Sequence, residues 1–134
     1  MHTAARALKP GGQLVLVDGH PTGWMLNHEV PPGSPLQVRF PYESSEPFVE
    51  EGQGSYADEK AVLDNPRCVV WTYGLEKLFT AKLGDGLHLR AFREFDRVAW
   101  PMPSLVKTDE YYWKLEDSLP FVPLSFTLTA ERVA

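Results

Sequence analysis

The sequence predicts an α/β protein, and three observations predict it. An alanine-rich helix near the start runs through Pro10-Gly11-Gly12 into Gln13 to Val17, a strand whose residues Leu14 to Val17 are all apolar. A second helix within Trp71 to Gly86 leads into an extended stretch, Leu87 to Phe95. Pro123 to Ala130 then alternates apolar Leu124, Phe126, Leu128 and Ala130 with Ser125, Thr127 and Thr129, the pattern of a strand buried on one face.

Each element has a local cause. His2 to Lys9 holds Ala4, Ala5, Ala7 and Leu8, strong helix formers. Pro10 cannot continue a helix, and the two glycines permit a sharp reversal. The apolar run that follows predicts a strand covered on both faces, as in a parallel sheet flanked by helices. Helix, turn and doubly covered strand make the αβ half of a parallel unit, so this reading expects a preceding strand that the sequence does not contain.

From Pro21 to Asp64 the composition changes. Prolines stand at 21, 31, 32, 35, 41 and 47, with glycines at 23, 33, 52 and 54. Leu36 to Phe40 alternates apolar and polar residues, and Phe48 to Glu51 is also extended, so 21–70 is expected to be an inserted Pro-rich loop and hairpin. A loop of this length is usually functional or disordered. Beyond it, Leu75, Leu78, Phe79 and Leu83 form one apolar stripe, with Glu76, Lys77 and Lys82 facing out. Thr72 is the expected cap, and Gly84 or Gly86 the stop.

Bulk composition excludes several classes. The 134 residues fit one domain, with 43% hydrophobic and 23% charged residues. A net charge of -5 without a basic cluster gives no footprint for nucleic acid. No apolar run reaches the roughly 20 residues of a membrane helix, and the start lacks the plan of a signal peptide, so a cytoplasmic location is expected. Cys68 is alone and is expected to be a small buried hydrophobe beside Val69 and Val70. The four histidines, at 2, 20, 28 and 88, are scattered, and no metal site is expected. No Gly-x-Ser-x-Gly elbow exists for a serine hydrolase. Glu43 to Glu51 and Asp109 to Asp117 read as solvated acidic faces.

Several phrases resemble the C-terminal half of a bacterial class I S-adenosylmethionine-dependent methyltransferase. "ALKPGGQLVLVDGHP" is similar to that family's helix and turn into its fifth strand. "EPFVEEGQGSYADEKAVLDNPRCVVWTYGLEKLF" resembles a segment of one bacterial subgroup in which an acidic stretch ends in Gly-Thr-Tyr-Ala-Asp and a Trp precedes the next helix. The counterparts here are Gly54, Ser55, Tyr56, Ala57 and Asp58, then Trp71. "GLHLRAFREFD" is similar to the sixth strand, and "YYWKLEDSLPFVPLSFTLTAER" to the seventh and its approach. After the Trp the subgroup has Asn-His-Ser, where this chain has Thr72, Tyr73 and Gly74.

The resemblance implies a partial Rossmann-like methyltransferase fold: a mixed sheet of strands ordered 5-7-6, flanking helices and an inserted β-hairpin. Residues 1–134 would then be the C-terminal, substrate-side portion of one domain. The glycine-rich turn after a first strand and the acidic residue ending a second, which hold S-adenosylmethionine in that family, have no counterpart here, so the cofactor-binding residues are unknown.

Ligands of open α/β sheets gather at the carboxyl ends of strands, where Asp18 and His20 leave the "LVLV" strand. They are the catalytic candidates, His20 as general base because imidazole titrates near neutrality. Glu94 near the end of a later strand and Tyr73 before a helix are substrate-binding candidates. So are Tyr42 and Tyr56, which with Trp24, Phe40 and Phe48 would close over an acceptor as a lid. Two functions of different class are expected: a methyltransferase fragment acting on a small-molecule acceptor and inactive alone, or a non-catalytic module that self-associates or docks on a partner. Either is expected to oligomerise through the 13–18 strand edge or the 2–9 helix, because an unpaired edge invites another strand.

Overall fold

A computed structural model describes residues 2–51, 60–83, 86–108 and 111–133, and of residues 2, 3, 82 and 83 it describes the backbone only. In chain order the elements are α1 (His2–Ala7), β1 (Gln13–Gly19), α2 (Pro21–Trp24), β2 (Phe48–Glu51), β3 (Arg67–Val70) and α3 (Leu75–Leu83). There follow β4 (Leu87–Phe95), β5 (Arg97–Val98), β6 (Val106–Lys107), β7 (Trp113–Lys114) and β8 (Ser125–Arg132). They form three small sheets, ordered β1-β8-β4, β2-β3 and β5-β7-β6. Every strand pairing in them is antiparallel.

This corrects the expected partial Rossmann-like α/β class. Among the described residues the three helices have six, four and nine residues, and the first and third pack into one core cluster rather than on two sides of a sheet. β1 shows the reason most directly: Val15 and Val17 are 64% and 65% exposed, while Leu14 and Leu16 pack inward. Four apolar residues in a row permit cover on both faces but do not bring it about. Cys68, expected to be buried, is exposed on β3.

The larger core lies on one face of the β1-β8-β4 sheet. Phe126, Leu128 and Ala130 of β8 are buried there with Ala5 of α1 and Leu87, and Leu78, Phe79 and Phe92 close around them. Phe79 meets Phe92 edge-on at 5.1 Å, and Phe92 meets Phe126 at 5.5 Å, geometries that suit ring quadrupoles. A second cluster, Leu26, Val98, Leu105, Leu115 and Leu124, seats the proline-rich segment on the β5-β7-β6 sheet.

The turn before β1 works as its composition predicts. Gly11 has φ +76°, a left-handed value that glycine adopts without a Cβ clash, and Gly12 N–H donates to the Lys9 carbonyl at 2.8 Å. Gly11 N–H then donates to Arg132 O, and Arg132 N–H to Gly12 O, both at 2.9 Å, which stitches the turn to the end of β8.

Candidate functional site

A cleft of about 1330 Å³ opens between three walls. The sheet and α2 contribute Leu16, Asp18, Gly19, Trp24 and Phe126; the proline-rich segment and hairpin contribute Phe40, Phe48 and Glu50. Trp71, Tyr73 and the α3 residues Leu75, Glu76, Lys77 and Leu78 make the third wall.

The first wall is set by the end of β1. Asp18 accepts a hydrogen bond from Gly19 N–H through Oδ1 at 2.7 Å. Gly19 is where backbone and ring meet: a Cβ there would lie 2.3 Å from Trp24 Nε1, so only glycine lets the indole fold back on the strand. Trp24 stacks on Trp100 with centroids 6.1 Å apart and planes 10° apart, which steadies it in the cleft lining.

His20 follows immediately and faces elsewhere. It is 3% exposed, caps α2 by accepting Thr22 N–H on Nδ1 at 3.0 Å, and is not among the described residues lining the cleft. Nε2 lies 2.9 Å from Glu94 Oε1, an ion-pair distance. With Nδ1 accepting, the proton sits on Nε2, so the neutral ring has no free lone pair. Burial lowers the His20 pKa below its usual 6.5, and Glu94 only partly offsets this.

A second histidine, His28, borders the cleft and is equally committed. Its Nε2 is 2.9 Å from Gly23 O and must donate, which leaves Nδ1 to accept from the Ser104 hydroxyl at 2.6 Å. Neither imidazole therefore offers a base to the cleft. Of the carboxylates there, Asp18 stands beside Trp24.

The third wall depends on Tyr42. Its hydroxyl accepts Leu75 N–H at 3.2 Å and satisfies the first turn of α3, the part expected of Thr72. Thr72 instead bonds Ser44, its N–H to Oγ at 3.1 Å, and so ties the segment after β3 to the proline-rich loop. Lys77 reaches Glu43 at 2.7 Å, and that hydrogen bond holds the Glu43 carboxyl below its usual range.

The structure thus brings Asp18 and Tyr73 to the cleft, places His20 and Glu94 together beside it, and uses Tyr42 as a cap. Tyr56 lies outside the described residues. Asp18, Phe126 and Glu94 stand in one register row across β1, β8 and β4. Sequence reasoning missed Glu50, Glu76 and Phe126 as lining residues. The spacing of Phe48 and Glu50, two apart on one strand face, was the available signal.

The described residues lining the cleft show no glycine cradle of the kind the resemblance implies for S-adenosylmethionine. The left-handed glycines Gly11, Gly33 and Gly86 are not among those lining the cleft, and the open side of Gly19, which does line it, is filled by Trp24. Among the described residues no group of three or more His, Cys, Asp or Glu is placed to hold a metal ion. No family model, curated protein or solved structure matches the chain.

Proposed function

We propose that this chain supplies the acceptor-binding part of a cytoplasmic, S-adenosylmethionine-dependent methyl transfer, holds a small molecule in the cleft, and does not transfer methyl groups by itself. The observation that carries the reading is the cleft: much of its lining, namely Leu16, Asp18, Gly19, Pro21, Phe48, Glu50 and the residues from Val70 to Leu78, comes from segments whose sequence carries the methyltransferase resemblance, while Trp24, Arg39 and Phe40 come from the segment between them. Such a site contributes by positioning, because a methyl transfer needs the acceptor atom held in line with the departing group. The aromatic walls suit a flat body, and Asp18 is the polar group at the sheet end. The cofactor's cradle must then come from another polypeptide segment.

The test is a thermal-shift panel of apolar amines, phenols and carboxylic acids, with calorimetry of S-adenosylmethionine on the same chain. This reading predicts that at least one class raises the melting temperature and that S-adenosylmethionine gives no binding heat. A chain that no small molecule stabilises, or that binds the cofactor tightly alone, would contradict it.

One observation favours a second reading, a self-associating module. β1 pairs with β8 only, and its other edge is unpaired among the described residues. On this reading the partner is a second copy, joined edge to edge.

A further inference from the structure

We propose that the cleft selects an organic cation, an amine or quaternary ammonium group carried on a flat apolar body. The proposal rests on reading the cleft as the acceptor site, and it names the acceptor's chemical class.

Charge balance is the first argument. The described lining has two cations, Arg39 and Lys77. Both are taken: Arg39 pairs with Glu29 and lies 5.2 Å over the Phe40 ring, and Lys77 pairs with Glu43. Asp18, Glu50 and Glu76 also line the cleft and make no ion pair among the described residues. An occupant that completes this balance carries positive charge.

The placement of rings is the second. Each wall carries an aromatic side chain and, close by along the chain, a carboxylate with no ion pair among the described residues: Trp24 with Asp18, Phe48 with Glu50, and Trp71 and Tyr73 with Glu76. Trp24, Trp71 and Tyr73 are 42%, 43% and 58% exposed, and no cationic side chain lies over them among the described residues. An aromatic face attracts a cation through its quadrupole, and a nearby carboxylate adds to the same field. A neutral apolar guest would gain the burial alone, and an anion would meet three carboxylates.

Phenyltrimethylammonium, its neutral isostere tert-butylbenzene, and benzoate are titrated into the full chain at low ionic strength, read by tryptophan fluorescence. The cation is expected to bind about tenfold tighter than the isostere, with benzoate not bound, and the preference to shrink as salt is added. Asp18→Asn with Glu76→Gln, its fold checked by circular dichroism, should lower cation affinity about tenfold and leave the isostere unchanged.

Equal binding of cation and isostere, or a double variant that keeps the preference, overturns the cation assignment and leaves the acceptor cleft standing. Failure of all three probes to bind overturns both. S-adenosylmethionine offers the same charge as a sulfonium. If it displaces the probe and S-adenosylhomocysteine does not, the charge belongs to the cofactor and the assignment to an acceptor falls.

Discussion

Leu128 sits at the centre of the β1-β8-β4 sheet and is fully buried, against Phe92 across the register. Leu128→Ala is expected to cost about 2–5 kcal/mol, because the surrounding side chains close only part of the space left. For a domain whose total stability is of order 5–15 kcal/mol, this should bring the urea midpoint down sharply. Gly19→Ala acts differently: the new methyl occupies the place of the Trp24 indole, so the ring must leave the strand, at about 1–3 kcal/mol. Its signature is a change in tryptophan emission larger than the stability loss alone would give. His20 carries a pH dependence whose sign is fixed by its lowered pKa. The unfolded chain takes up the proton near 6.5 and the folded chain only at lower pH, so stability is fully present above 6.5 and is lost as pH falls through the folded value. His20→Asn keeps an acceptor for Thr22 N–H without a titrating ring. Urea titrations across this range should show the loss in the parent chain and its removal in the variant.

At the scale of elements, the free side of β1 makes the sharpest prediction. Arg132 N–H donates to Gly12 O and His20 N–H to Leu124 O, so even-numbered residues face β8 and the N–H and C=O groups of residues 13, 15, 17 and 19 point away. No lysine, proline or bulge blunts this edge between Gln13 and Val17. An antiparallel copy centred on Leu16 would set Val15 of one chain against Val17 of the other. Sedimentation is expected to show concentration-dependent association that Val15→Lys with Val17→Lys abolishes, with stability changed by only about 0.5 kcal/mol because both side chains are exposed. A parent chain that stays monomeric across the micromolar range would contradict this. Elements were legible where local chemistry decides them: the strand Leu87 to Phe95 has the expected bounds, and Phe48 to Glu51 is a strand paired with β3. What covers each element was not legible. The LVLV run reads alike with one face open or none, and Tyr42 could not be known as the cap of α3 from a position 33 residues away.

The whole molecule explains why so little of the candidate site was legible. Asp18 and Tyr73 were singled out at element ends and do line the cleft, but its walls are assembled by packing between segments far apart in sequence. His20 looked like a base because its chemistry suits neutral pH; the fold turns it into a buried cap with both nitrogens in contact. Among the described residues, no helix is long and apolar enough to cross a membrane. The net charge of -5 is consistent with a cleft whose described cations are paired and three of whose carboxylates make no ion pair among the described residues.

The four tryptophans allow the most direct test of the account. Trp24 and Trp71 line the cleft, Trp100 stacks behind Trp24, and Trp113 packs in the second core. In a proton–nitrogen correlation spectrum of the labelled chain, titration with phenyltrimethylammonium should move the indole signals of Trp24 and Trp71 along one saturable curve and leave Trp113 in place. Indole signals that all stay put, or that all drift together without saturating, would contradict a ligand seated in this cleft.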